Sequence, residues 1–132
     1  MVEAPGPMPE IVMDLDGTLT VDQPGVTYPD LLPNLPVVAK LREYRRQGFR
    51  VAIYTARDMR THAKSIGAIN ALTLPGIIAC LQRHGIPFDE VHVGKPWPEA
   101  GGFYVDDRAI RPDEFVRLSH PEIMAVTGAR TQ

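Results

Sequence analysis

Four short apolar runs in this chain each stop at a cluster of polar or charged side chains. Ile11-Val12-Met13 runs into Asp14 and Asp16, and Phe49 to Tyr54 into Thr55-Ala56-Arg57. Val91-His92-Val93 runs into Gly94-Lys95, and Phe103-Tyr104-Val105 into Asp106-Asp107-Arg108. Apolar runs of this length, free of turn residues, read as strands buried on both faces. Between them the spacing turns helical. Val37, Val38, Leu41 and Tyr44 follow a cap-competent Asn34, and Ile77, Ile78 and Leu81 follow Thr73 and Pro75. Gly48 and Gly85 supply the stops. Strands alternating with helices predict right-handed crossovers and a parallel sheet covered on both faces, an α/β/α sandwich of three layers. All four strand ends then share one edge, and such sheets bind their ligands at that edge.

The remaining segments fill in around this pattern. Leu15 to Pro33 is broken by Gly17, Pro24, Gly25, Pro29 and Pro33, and reads as an excursion over the active edge. Residues 58–72 read as a loop with a short helical piece, and Pro112 to Leu118 as a closing helix. The expected organisation is one domain over residues 1–132, with 1–9 and 119–132 flexible and no cap domain inserted. Tyr28, Leu31, Leu32 and Leu35 put apolar side chains on or beside the excursion, which points to a homo-oligomer whose neighbour covers the site.

Bulk properties exclude several classes. A net charge of −2 gives no basic footprint for a long nucleic acid. The arginines at 42, 45, 46 and 50 read as a solvated helix face. Cys80 is alone, so no internal disulfide exists, and it reads as a small core residue of a reducing compartment. No apolar run has transmembrane length, and the Pro-rich start lacks a signal core. The expectation is a cytoplasmic protein that does not engage membranes. His84, His92 and His120 show no zinc spacing.

The first cluster carries the most chemistry. Two acceptor-only carboxylates, Asp14 and Asp16, followed by Gly17 and Thr18, suit a hard cation such as Mg²⁺. One carboxylate can attack phosphorus while the other handles protons. Gly17 lets the backbone approach an oxyanion, and the Thr18 hydroxyl can tie down the loop. A strand closed by an ordinary Asp/Gly turn fits the same residues. A calcium loop fits poorly, since its sixth and twelfth positions would be Leu19 and Gly25.

Taken together, the four clusters resemble the haloacid dehalogenase-like phosphohydrolase superfamily. Its strand followed by Asp-x-Asp-Gly-Thr matches Asp14 to Thr18, its strand-terminal Thr matches Thr55, its lysine matches Lys95, and its closing acids match Asp106-Asp107. The runs 54–62, 73–75, 86–90, 93–97 and 104–112 are similar to the small phosphatases encoded in capsular polysaccharide clusters. That resemblance implies a Rossmann-like fold and a role in polysaccharide biosynthesis. It implies Asp14 as nucleophile, Asp16 as acid and base, and Thr55 and Lys95 on the transferring oxygens. Gly17, Thr18, Ala56 and Arg57 would bind substrate. Mg²⁺ would be held by Asp14, Asp16 and one of Asp107 and Asp106, since adjacent side chains on a strand point to opposite faces; the resemblance to Asp-Asp-Arg phosphatases favours Asp107.

The implied reaction is hydrolysis of a phosphomonoester, a sugar or polyol phosphate, through an aspartyl-phosphate. Two alternatives stand beside it. The Asp-Asp-Arg and Thr-x-Arg forms also resemble the 3′-phosphatase domains of polynucleotide kinase-phosphatases, which act on nucleic-acid ends. The other is a non-catalytic binding domain of the same fold. Arg60, His62 and Trp97 receive no role.

Overall fold

The computed structural model describes residues 9–27 and 30–128. Tyr28, the tail before Pro9 and the last four residues lie outside the described residues. The chain forms two compact units, Met1–Trp97 and Pro98–Gln132.

The first unit holds a parallel sheet of three strands, β1 (Glu10–Met13), β2 (Arg50–Tyr54) and β3 (Glu90–His92), in the order β1-β2-β3. The register pairs Met13 with Ile53 and Tyr54 with His92, so neighbouring strands end nearly level. The central strand answers the expectation of double burial, because Val51, Ala52 and Ile53 are buried in succession. The edge strand β1 departs from it: Met13 is buried, whereas Val12 is 62% exposed. An edge strand has a neighbour on one side only, and here its alternate residues face solvent.

Helix α1 (Leu35–Arg46) buries Val37, Val38, Leu41 and Tyr44, the stripe that the spacing marked. Pro36 suits the first turn, where its missing N–H removes nothing. Two further helices, α2 (Ile66–Leu72) and α3 (Leu74–Arg83), separate β2 from β3. Ser65 caps α2 by accepting from Ala68 N. Ile77, Cys80 and Leu81 are buried on α3, so Cys80 is the core residue expected. Among the described residues no single helix is long and apolar enough to cross a membrane.

Of the arginines read as a solvated face, Arg42, Arg46 and Arg50 are exposed, and Arg42, Arg45 and Arg50 also serve as ties. Arg42 donates to the carbonyls of His84 and Gly85, which end α3. Arg45 pairs with Asp89 and also reaches Phe49 O, while Arg50 pairs with Glu10 and Glu90. Apart from Phe49, their partners lie about forty residues away along the chain, which helical spacing cannot reveal. Of the apolar residues beside the excursion, Leu31 is buried and cannot serve a neighbour, whereas Leu32 and Leu35 are exposed.

The second unit holds α4 (Pro112–Arg117) and α5 (His120–Thr127). A fourth strand is expected at 103–105; within the second unit these residues form no strand. A run of β-prone residues states only a propensity, and a ladder also needs a partner strand in register. The segment past Ser119, expected to be loose, contains α5. Its start is locked by a capping box, Ser119 Oγ accepting from Glu122 N and Glu122 accepting from Ser119 N.

Candidate active site

The turn after β1 alternates acids with leucines. Leu15 and Leu19 are buried in the core, which leaves Asp14, Asp16 and Thr18 on the opposite, half-open side. The Leu15 carbonyl closes the turn, accepting from the N–H groups of Thr18, Leu19 and Thr20 at 3.2, 2.8 and 3.1 Å. Gly17 has φ +80°, a left-handed conformation that a side chain would strain. Two hydroxyls then fix the acids. Thr18 Oγ1 donates to Asp14 Oδ2 at 3.0 Å, and Thr20 Oγ1 to Asp16 Oδ1 at 3.2 Å.

The end of β2 supplies Thr55, Ala56 and Arg57. Thr55 is buried, and its Oγ1 accepts from Arg57 N at 3.0 Å, turning the chain so that Arg57 heads back toward the acids. Arg57 is itself buried and meets Asp16 with both prongs, Nε to Oδ2 at 3.0 Å and Nη2 to Oδ1 at 2.6 Å. Ala56 is half-buried and gives its carbonyl to Met59 N.

Lys95 arrives from the end of β3. Its N–H donates to Thr55 O at 3.1 Å, and its Nζ lies 3.4 Å from Asp14 Oδ1 and 6.0 Å above the Tyr54 ring. Gly94 makes that approach possible. Its φ is +85°, and a Cβ there would stand 2.3 Å from Ile66 Cδ1. The ammonium beside Asp14 and the guanidinium on Asp16 give each carboxylate its own cation, which offsets the repulsion of two acids so close in sequence.

The structure thus brings together Asp14, Asp16, Gly17, Thr18, Thr55, Ala56, Arg57 and Lys95 of the residues singled out by sequence. Asp106 and Asp107 belong to the second unit and are exposed. Asp106 Oδ1 accepts from Arg108 N at 2.8 Å, a turn closed by its own side chain. Among the described residues no three acids, histidines or cysteines converge as a metal site by themselves.

Sequence reasoning passed over Thr20, whose only signal was a second hydroxyl two residues beyond Thr18. It also passed over the support behind Arg57. There Asp58, at φ +62°, accepts from Thr73 Oγ1 at 2.6 Å and so ties the loop after β2 to the start of α3. His62 lies 3.9 Å from the same aspartate, which places it in the support of this loop; Trp97 is exposed.

Neither a protein-family model nor a curated protein matches the chain. Solved structures do. A structural-genomics target from Vibrio cholerae, known from its crystal structure, is 46% identical with a TM-score of 0.86, over 92% of this chain and 98% of that one. A chain of the Pnkp1/Rnl/Hen1 complex is 22% identical with a TM-score of 0.51, over 75% of this chain and 32% of its own length. A second structure, of the Pnkp1/Rnl/Hen1 RNA repair complex, matches at 20% identity and a TM-score of 0.51, over 76% of this chain and 30% of that one. At such identities the latter two speak for a shared fold alone. The Vibrio cholerae match is of another order, and this chain belongs to the family of that protein.

Proposed function

We propose that this protein is a Mg²⁺-dependent phosphomonoester hydrolase that works through an aspartyl-phosphate on Asp14, with a sugar or polyol phosphate as substrate. The observation that carries the proposal is the meeting of Asp14 with Lys95, 81 residues apart, beside the Asp16–Arg57 pair. A nucleophilic carboxylate, a cation for phosphoryl oxygens and a second carboxylate for protons are the parts that this chemistry requires. The motif resemblance and the fold shared with a chain of the RNA repair complex support the same reading.

The roles are those that the motif resemblance implies, and the side-chain contacts are compatible with them. An Asp14 oxygen attacks phosphorus as the ester P–O bond breaks, and Asp16 gives a proton to the departing oxygen. Asp16 then takes a proton from water, whose oxygen attacks the phosphorus of the acyl-phosphate and frees the Asp14 carboxylate. Lys95 stabilises charge on the transferring group, and the Thr55 hydroxyl, already an acceptor for Arg57 N, has its hydrogen to donate there.

The residues present suit Mg²⁺. The Asp14 side chain is 36% exposed, and an open, acceptor-only oxygen is a donor for a hard cation. Asp14 and the main-chain carbonyl of Asp16 would hold the ion; a further ligand, Asp107 or alternatively Asp106, is assigned by the motif resemblance alone. The ion would neutralise charge on the phosphoryl oxygens.

A phosphate-release assay over a panel of phosphomonoesters, with and without Mg²⁺, tests the proposal. Metal-dependent release is expected. The reading as a 3′-phosphatase of nucleic-acid ends keeps the same residues, and a 3′-phosphorylated oligonucleotide in the panel separates it.

A further inference from the structure

Beyond Thr20 the chain leaves the catalytic turn and later returns to it. Val21 N donates to Leu32 O at 2.9 Å and Asn34 N to Leu19 O at 2.7 Å, while Thr20 bridges Pro33 in antiparallel sense. The excursion is therefore a flap on a short antiparallel stem. The root of that stem is Thr20, whose hydroxyl also reaches Asp16. Two turns shape the flap itself, Val26 N to Gln23 O at 3.1 Å and Asp30 N to Thr27 O at 3.0 Å.

Inside the flap is a recess of about 660 Å³, lined by Asp22, Gln23, Pro24, Val26, Thr27 and Leu31. It adjoins the catalytic turn, because Asp22 Oδ2 lies 3.6 Å from where a Cβ on Gly17 would stand. Gly17 directly follows Asp16, the residue that handles the proton of the leaving oxygen in the proposed reaction. In that reaction the group attached to the leaving oxygen would be held near Asp16, one residue from Gly17.

Resting on the phosphomonoester reading, we propose that this recess is the leaving-group subsite, and that Asp22 selects a neutral, hydroxyl-rich alcohol over a nucleotide end. The lining chemistry carries the choice. A carboxylate accepts hydrogen bonds from hydroxyls, and an amide and a hydroxyl, Gln23 and Thr27, can both give and accept. Pro24, Val26 and Leu31 supply an apolar wall for the C–H face of a sugar. Among the described lining residues none is a cation. The next phosphodiester of a nucleic-acid end would meet the Asp22 carboxylate with no cation among the described lining residues, a like-charge contact that discriminates by repulsion.

The test compares kcat/KM for three probes: sorbitol 6-phosphate, phenyl phosphate and a 3′-phosphorylated thymidine dinucleotide. The full-length protein is expected to favour the polyol phosphate over the dinucleotide by about tenfold or more, the scale of a few polar contacts. Asp22→Asn and Gln23→Leu are each expected to lower the polyol-to-phenyl ratio several-fold. Asp22→Lys is expected to shift the polyol-to-dinucleotide ratio toward the dinucleotide by about tenfold or more. Ratios unmoved in all three variants, with phosphate still released, overturn the subsite alone. No release from any probe by the unaltered protein overturns the phosphatase reading and the subsite with it.

Discussion

Arg57 grips Asp16 through both prongs of its guanidinium, at 3.0 and 2.6 Å, although 41 residues separate the two. With the Thr20 hydroxyl on Oδ1 as well, Asp16 accepts three hydrogen bonds. A carboxylate so occupied is fixed in direction, and its service as an acid requires one of these bonds to open. The motif resemblance assigns Arg57 to the substrate, and its side chain here rests on Asp16, the residue proposed to handle protons.

Replacing Arg57 separates those two roles. Arg57→Ala strips a half-buried carboxylate of its main partner and is expected to lower stability by about 1–3 kcal/mol. The larger effect is expected in kcat, about 100-fold or more, with a smaller change in KM, because the lost group orients the proton donor. Arg57→Lys keeps the charge without the fork and is expected to recover only part of the loss. A raised KM with kcat intact, in steady-state kinetics, would return Arg57 to the substrate.

Gly94 is the joint that delivers Lys95. With φ at +85° and Ile66 Cδ1 at 2.3 Å from a notional Cβ, Gly94→Ala strains the backbone and forces Ile66 to move. A loss of about 1–2 kcal/mol in urea unfolding is expected. Phosphatase turnover is expected to fall with it, since Lys95 approaches Asp14 through this residue.

Asp106 spends an oxygen on Arg108 N, and the motif resemblance favours Asp107 as the ligand. Asp107→Asn is therefore expected to raise the Mg²⁺ concentration for half-maximal activity by about tenfold or more, as loss of a ligand does. Asp106→Asn is expected to shift it less. The reverse order in a Mg²⁺ titration would exchange the two assignments.

Asp89 links β2 to the loop before β3. The Arg45 guanidinium beside it, and then the Val51 N–H, hold its carboxyl below the ordinary 3.8. A lowered folded-state value contributes stability above the unfolded value and loses it as pH falls through the folded one. Asp89→Asn is expected to cost about 1 kcal/mol near neutrality. The gap between parent and variant is expected to close below about pH 4 in urea melts.

Much of this was legible because it is local. Strands β1, β2 and β3, the stripe of α1 and the start of α3 follow from apolar runs, periodicity and caps, and the acids lie where an apolar run stops. What spacing could not show is pairing across the chain. The Asp16–Arg57 fork and the Arg42 tie to the end of α3 join residues about forty positions apart, and the stem that returns Leu32 to Val21 has no apolar period to mark it. Residues 103–105 went the other way, since a run of β-prone residues states a propensity and a ladder needs a neighbour.

The central claim is that Asp14 carries the phosphoryl group. Mass spectrometry of the Asp16→Asn protein after brief exposure to a ³²P-free phosphomonoester substrate and acid quench tests it most directly. Accumulated phosphate on the peptide holding Asp14 is expected, because the second step lacks its base, and Asp14→Asn in the same experiment is expected to carry none and to turn nothing over. Phosphate release by Asp14→Asn above a few per cent of the parent rate, with no phosphorylated aspartate in either variant, would contradict the covalent mechanism.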